Sequence, residues 1–329
     1  MDPAAALLFI VNSASGSNDS DATRAAIEAA LAAAGRTGEF LWAGPGELPR
    51  VARQAAETAL ARRSAVVAVG GDGTLNTVAQ AALAQGCVMG VVPQGTFNYF
   101  GRTHGIPTDA AEATRALLRA SPVPVQVGLI NERVFLVNAS LGLYPELLQD
   151  REAYKARFGR SRLVALVSSV VTLLGRHRQL RLRIEHAGTA RNVRTPTLFV
   201  GNNRLQLEQV GLQQAPALDA GCIAAVMLRP IGTLAMLGLM LRGAIGTLGE
   251  ASTVQSFEFQ RMLVKPRFGF ARRRVKVAFD GEVGWLRAPL DFRVSPTPLH
   301  LLKPVGGVVA DGVADGLADG VVNSGPGGA

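Results

Sequence analysis

Val66-Val-Ala-Val-Gly70-Gly-Asp-Gly-Thr74-Leu-Asn76, followed by Val91-Val-Pro-Gln-Gly95-Thr-Phe-Asn98, sets two glycine-rich loops at the ends of two apolar runs. Ala65 to Val69 is short, apolar and valine-rich, the pattern of a parallel strand buried on both faces. Thr74 to Gln85 puts Leu75, Val78, Ala79 and Leu83 on one side of a helix, so the first loop joins a strand to a helix. Gly70, Gly71 and Gly73 carry no Cβ to hold an anion away from the main-chain amides, and the start of the helix favours negative charge. A polyphosphate fits such a loop. Asp72 is the odd element, because a carboxylate among phosphates repels them unless a metal ion or a proton in transit offsets it. That combination points to phosphoryl transfer with Mg2+.

The second loop repeats the design, with a strand over Val88 to Val92, the turn Pro93-Gln-Gly-Thr96, and a short helix from Asn98. Two loops at adjacent strand ends build one cleft, the usual ligand position in an open α/β sheet. A lone Gly-Gly-Asp-Gly also serves as a tight turn capping a helix, and the pairing is what favours the phosphate reading. The chain has no Gly-x-x-x-x-Gly-Lys-Ser/Thr, and no Gly-x-Gly-x-x-Gly ends the first strand, which argues against an ordinary P-loop or dinucleotide fold.

Outward from the loops, residues 5 to 120 alternate strands with helices over Ala22 to Ala34, Pro49 to Arg63, Thr74 to Gln85 and Thr108 to Ala120. Ser20-Asp21 and Thr108 are the expected caps and Gly35 the stop of the first helix. From Val123 the pattern becomes strand-like, over 123 to 129, 133 to 138, 179 to 186, 191 to 201, 222 to 228, 252 to 259 and 273 to 279, with helical inserts near 160 to 175 and 231 to 242. The expected fold is an α/β doubly wound N-terminal domain over 1–122 and a mainly antiparallel β-sandwich over 123–289. After Pro304 three Ala-Asp-Gly units lack calcium-loop spacing and are too few to stack, so 305–329 reads as a disordered tail.

A chain of 329 residues, 48% hydrophobic and 18% charged, buries a core large enough for two domains. Cys87 and Cys222, one in each half, exclude a disulfide framework and a cysteine zinc site. Ala4 to Val11 has no basic residues before it and ends in Asn12, the pattern of a first strand and not of a signal peptide, so a cytoplasmic protein is expected. Leu163 to Gly175 and Pro230 to Leu241 are the longest uncharged apolar stretches and are too short to cross a bilayer, so no transmembrane segment is expected. The second is apolar on most faces, which suits either a buried core helix or a lipid-facing one. The net charge of +9 is densest at Arg272-Arg-Arg274 with Lys276 and over Arg176 to Arg183. With few aromatic residues and no nucleic-acid motif, an anionic membrane surface is the better partner than nucleic acid, and solvated strand faces are the plain alternative.

Gly70-Gly-Asp-Gly-Thr74 and Gly95-Thr-Phe-Asn98 resemble the two nucleotide motifs of the diacylglycerol kinase catalytic family, which includes bacterial lipid kinases, sphingosine kinases and ceramide kinases. Asn12-Ser-Ala-Ser-Gly16 is similar to the family's opening loop, with Ser13 in place of proline. Phe135 to Gly142, Val200-Gly-Asn-Asn203, Leu218-Asp-Ala-Gly221 and Asp280-Gly-Glu282 follow in the family's order. The resemblance implies that strands around 290–304 return to complete the first domain, with the nucleotide cleft between the two domains holding nucleotide and lipid head group. It implies an ATP-dependent lipid kinase, a phosphotransferase with an alcohol acceptor, acting on diacylglycerol or a related lipid at the inner face of the membrane.

On this reading Gly70, Gly71, Gly73 and Thr74 bind the ATP phosphates, and by resemblance Asn12, Gly95, Thr96 and Asn98 complete the nucleotide site. Asp72 sits near the γ-phosphate and the metal. Asp280-Gly-Glu282 ends a basic strand in a sharp turn, so its two carboxylates can face one cleft, with Glu282 the candidate general base or else part of a salt-bridged hairpin. By resemblance Asp219 supports a Mg2+ site; it otherwise reads as a plain turn residue. The chain departs from the family at Tyr99, Gln126 and Ala220, each of which removes an oxygen ligand or charge where acidic residues are common. Those departures keep open a nucleotide- or lipid-binding protein without catalysis. A soluble-substrate kinase of NAD kinase type shares Gly-Gly-Asp-Gly-Thr but not the later motifs.

Overall fold

The computed structural model describes residues 2, 4–13, 20–95, 97–143, 145, 179–209, 211–212, 214–230, 238, 242, 251–267 and 274–304. The chain begins β1 (Leu7–Asn12), α1 (Ser20–Ala33), β2 (Gly38–Ala43), α2 (Leu48–Ala61), β3 (Ala65–Gly70), α3 (Asp72–Gln85), β4 (Val88–Pro93), α4 (Tyr99–Thr103) and α5 (Ala110–Leu118). It continues as β5 (Ser121–Val125), β6 (Gly128–Ile130), β7 (Arg133–Phe135), β8 (Asn138–Gly142), β9 (Leu180–His186), β10 (Thr189–Thr195) and β11 (Thr197–Gly201). A short α6 (Arg204–Gln209) and a 3-10 turn (Ala215–Leu218) lead to β12 (Ile223–Leu228), β13 (Val254–Phe259) and β14 (Arg261–Pro266). The last strands are β15 (Arg274–Phe279), β16 (Glu282–Arg287), β17 (Leu290–Val294) and β18 (Leu299–Lys303).

The first sheet has the order β2-β1-β3-β4-β18-β5, with β1 to β4 parallel. β3 is buried at every position, because α1 packs with α5 and α2 with α3 to cover the sheet. That double cover is why its sequence is continuously apolar and does not alternate. Each helix buries residues three and four apart: Val51, Ala52, Ala55, Ala56 and Ala59 in α2, where Pro49 sits in the first turn. α5 starts one residue later than Thr108 predicts a cap. Asp109 is the N-cap, its side chain accepting the Glu112 amide at 2.8 Å, the reach of a carboxylate with an acid three residues on.

The remaining strands form two six-stranded sheets, β10-β9-β14-β17-β6-β7 and β13-β12-β11-β8-β15-β16, all pairs antiparallel. Their inner faces share one core, with Ile184, Val264 and Phe292 from the first meeting Leu141, Val200, Met227 and Val277 from the second. This is the expected sandwich beside an α/β domain. Outside it, Leu207 of α6 and Ala215 cover Ala224 and Val226.

Several expected strands divide. The stretch 191–201 breaks at Pro196, which has no amide to donate, so β10 and β11 lie in different sheets. The stretch 123–129 splits between the α/β sheet and the sandwich, which puts the 122/123 boundary inside β5. Of 290–304, β18 pairs with β4 and β5, whereas β17 pairs with β14 and β6 of the sandwich. Apart from Gly238 and Arg242, the expected helical inserts at 160–175 and 231–242 lie outside the described residues, as does the 305–329 tail.

Candidate active site

β3 and β4 run parallel and adjacent, so the chain leaves both at the same edge of the sheet. The Gln94 amide donates to the Gly70 carbonyl at 2.8 Å and ties the two loops together. Their glycines meet backbone to backbone: a Cβ on Gly95 would stand 3.2 Å from the Gly71 Cα and 2.8 Å from Asn98 Oδ1. Asn98 has a left-handed φ of 47°, and its Oδ1 accepts the Gly95 amide at 2.9 Å. Asn98 therefore shapes the second loop, and that amide is already committed. α3 begins after Gly71 with no side chain capping it, so the amides of Asp72, Gly73 and Thr74 point outward at the helix start. Thr74 is buried and packs against Gly70, while Asn12 Nδ2 lies 3.4 Å from Thr74 Oγ1 and brings in the end of β1. Thr96 lies outside the described residues.

Three carboxylates gather beside this helix start. Asp72 Oδ1 is buried without a hydrogen-bond partner. Burial, and then the negative charge of Asp280, push the Asp72 carboxyl up to about 6. Asp280 lies buried in the turn between β15 and β16 at a left-handed φ of 46°. Its Oδ2 accepts Asn76 Nδ2 and the Leu136 amide, both at 2.7 Å; its Oδ1 accepts the amides of Val137 at 2.8 Å and Asn138 at 3.0 Å. Burial pushes this carboxyl up too, against the pull of those four hydrogen bonds. Asn76 also donates to the Val134 carbonyl at 2.8 Å, so one side chain of α3 stitches the α/β domain to the sandwich. Glu282 starts β16 with its carboxylate against Gly73, where any Cβ would collide with it. Its carboxyl is raised by burial and by Asp280, with Arg133 drawing it down. Glu282 is in no ion pair among the described residues, unlike a salt-bridged hairpin glutamate.

Asp219 lies elsewhere. It follows the 3-10 turn, its side chain 65% exposed and in an ion pair with Arg204 at 2.5 Å. It borders a cavity of about 630 Å³ between the domains that Arg102, His104, Gln126, Asn202 and Lys303 also line. The departures at Tyr99 and Gln126 are neutral groups with partners of their own. The Tyr99 hydroxyl donates to Gln209 Oε1 at 2.9 Å, and Gln126 Nε2 donates to Asn202 Oδ1 at 2.8 Å and the Cys222 carbonyl at 3.0 Å. Asn203 Nδ2 donates to the Tyr99 carbonyl at 3.2 Å and Thr103 Oγ1 at 2.8 Å. Amides thus seal this part of the seam. No motif in the sequence assigns a role to Asn76 or Arg133. Asn76 carried a signal, lying one helical turn after Asp72 on a face that otherwise buries Leu75, Val78 and Ala79.

The residues suit a nucleotide bound with a divalent cation: open amides at a helix start, glycines where a Cβ would intrude, and an unpartnered carboxylate oxygen. Among the described residues no three His, Cys, Asp or Glu side chains form a metal cage. Mg2+ at phosphoryl-transfer sites takes only one or two carboxylates and completes its shell with phosphates and water.

Residues 6–130 match the family described as the diacylglycerol kinase catalytic domain. A diacylglycerol kinase of Bacillus subtilis is 36% identical over 99 residues, which are 29% of this chain and 33% of that protein. A Klebsiella pneumoniae protein named "Probable lipid kinase YegS-like" is 38% identical over 79 residues, 23% of this chain and 27% of its own length. The matched stretch therefore spans a third or less of these curated relatives. In fold, the crystal structure of a diacylglycerol kinase from Bacillus anthracis superposes with a TM-score of 0.69 at 19% identity, covering 92% of this chain and 98% of that one.

Proposed function

We propose that this chain, which carries a diacylglycerol kinase catalytic domain over residues 6–130, is an ATP-dependent lipid kinase that moves the γ-phosphate to a lipid hydroxyl, diacylglycerol or a relative of it. The observation that carries the reading is the placement of Asp72: an unpartnered, partly buried carboxyl at the start of α3, between the two glycine loops, with Glu282 across Gly73. The amides of Asp72, Gly73 and Thr74 bind phosphate oxygens, and Gly71 and Gly95 keep the backbone bare for a close approach. Asn12 and Asn98 hold the loops that surround the nucleotide.

Glu282 accepts the proton of the lipid hydroxyl as that oxygen bonds to the γ-phosphorus and the bond to the β-phosphate oxygen breaks, leaving ADP. Its raised pKa makes it a better base than an ordinary glutamate. Asp280 positions Glu282 by anchoring the turn before it. Asp72 would hold Mg2+ together with the nucleotide's phosphates, and the ion supplies charge neutralisation at the transferring group. The acceptor reaches the cleft from an anionic membrane surface that the protein contacts peripherally. No described helix is long and apolar enough to cross a membrane.

The non-catalytic reading has one observation in its favour, the neutral and already bonded Tyr99 and Gln126. The test is transfer of radiolabelled γ-phosphate from ATP with Mg2+ into a total lipid extract in mixed micelles, with Asp72→Asn alongside. A labelled lipid that disappears with the variant is expected. ATP binding without label transfer would overturn the proposal in favour of the non-catalytic reading, and label on a water-soluble product would make the acceptor a soluble one.

A further inference from the structure

The outer face of the β15–β16 hairpin combines features that each cost the free protein something. In this antiparallel pair Arg274 stands opposite Arg287, Lys276 opposite Trp285 and Ala278 opposite Val283. Directly opposed residues share a face, and the alternate row, including Val275 and Val277, turns into the sandwich core. Trp285 is 61% exposed, the most exposed large apolar side chain among the described residues, and Val283 is 38% exposed. Arg274 and Arg287 are exposed, and neither is in an ion pair among the described residues. Like charges directly across a strand pair repel, and an indole in water forgoes its hydrophobic gain. Among the described residues β16 is the edge strand of its sheet, with no strand flanking the patch on that side.

We propose that this face, Trp285 and Val283 flanked by Arg274, Lys276 and Arg287, is where the protein docks on an anionic phospholipid surface. A bilayer interface offers both missing partners at one depth: a head-group layer where indole rings settle, and negative charge for the arginines. The net charge of +9 gives the long-range attraction the matching sign. Docking here also serves the chemistry. Glu282 begins the same strand with its side chain on the opposite side of the pleat, toward Gly73, about 10 Å along from Trp285 at the rise of an extended chain. The inference takes its purpose from the lipid-kinase reading, but it is tested without catalysis.

The chain has two tryptophans, so Trp42→Phe leaves Trp285 as the sole indole reporter in the full-length protein. Vesicles of phosphatidylcholine with phosphatidylglycerol, added without nucleotide, should shift the Trp285 emission to the blue and shield it from an aqueous quencher. Pure phosphatidylcholine vesicles should do much less. Arg274→Ala with Arg287→Ala should weaken vesicle partition by about 25-fold, roughly fivefold for each cation, and raising salt should mimic that loss. The melting temperature should hold or rise, because the change relieves a like-charge pair. Trp285→Ser should weaken partition while leaving phosphoryl transfer to a detergent-dispersed acceptor intact. Vesicle binding without a Trp285 shift would place docking on another face and overturn the proposal. So would no binding, or the same shift with a soluble polyanion, or on concentrating the protein alone, which would mark a second copy as the occupant. Vesicle docking by a chain that fails to phosphorylate lipid would leave this inference standing and sink only the kinase reading.

Discussion

Replacing Asp72 with asparagine should make the protein more stable and inactive at once, and the stability gain should depend on pH. The Asp72 carboxyl rises from 3.8 to about 6 on folding, because burial and the charge of Asp280 both disfavour its ionised form. The folded chain therefore binds this proton more tightly than the unfolded one. The stabilisation that protonation brings is complete below about 3.8 and is lost as pH rises through about 6. At about 1.4 kcal/mol per pKa unit the ionised carboxylate costs the folded state at most roughly 3 kcal/mol at pH 8. The side chain is only partly buried, and solvent screening reduces this to about 1–2 kcal/mol. Asparagine keeps the shape and removes the charge, so without nucleotide the variant should melt about 2–5 °C above the parent at pH 8. The advantage should shrink toward zero by pH 4. Thermal melts of both proteins across that range, run beside the transfer assay, measure the two effects separately. An asparagine variant that melts below the parent at pH 8, or whose gain is flat with pH, would refute the account of Asp72 as a carboxylate held at a cost for its chemistry.

Glu282→Gln should lower turnover by about 10²–10⁴ while leaving ATP affinity unchanged, and should abolish the acid limb of the pH profile, which in the parent lies above the ordinary glutamate range because that carboxyl is raised. A variant that instead loses ATP affinity in parallel would place Glu282 in binding. Gly73→Ala adds a better helix former to the first turn of α3, but its Cβ would push into the Glu282 carboxylate. The melting temperature should hold while turnover falls on the order of 10²-fold, and near-normal turnover would show that Glu282 is not held there. His104, packed edge-on to Phe100 at 4.7 Å, is lowered to about 4 by burial and by Lys303. Its ring should stay neutral in the folded protein by NMR until pH approaches 4. The stability it contributes should be full above the ordinary 6.5 and fall away as pH drops toward 4, and a ring titrating near 6.5 would refute the burial argument.

The elements around Asp72 were legible because each announces itself locally. β3 is a continuous apolar run, α3 carries a helical stripe, and the loop between them needs glycine wherever another chain passes close. Partner choice among strands is not local. Leu290, Phe292 and Val294 alternate with the same period as Leu299, Leu301 and Lys303, yet β17 joins the sandwich and β18 the α/β sheet. What separates them is which distant edge receives each strand, β14 and β6 for one and β4 and β5 for the other.

The same limit hid the function of Asp280. As sequence it is one of two acids around a glycine turn, and nothing in that triplet says which acid is anchored and which is exposed to the cleft. Three of its four donors are backbone amides of residues 136 to 138, and an amide carries no residue signature. Only the fourth, Asn76, left a trace, as a polar residue on the buried side of α3. The arrangement has a physical rationale all the same. Its four donors fix the Asp280 carboxyl in place at the domain seam. Burial first, and then the negative charge of Asp280, hold both Asp72 and Glu282 above their ordinary pKa beside Gly73. An anchored acid beside two others requires strands from one domain and a helix from the other, so the site exists only once both domains have folded against each other.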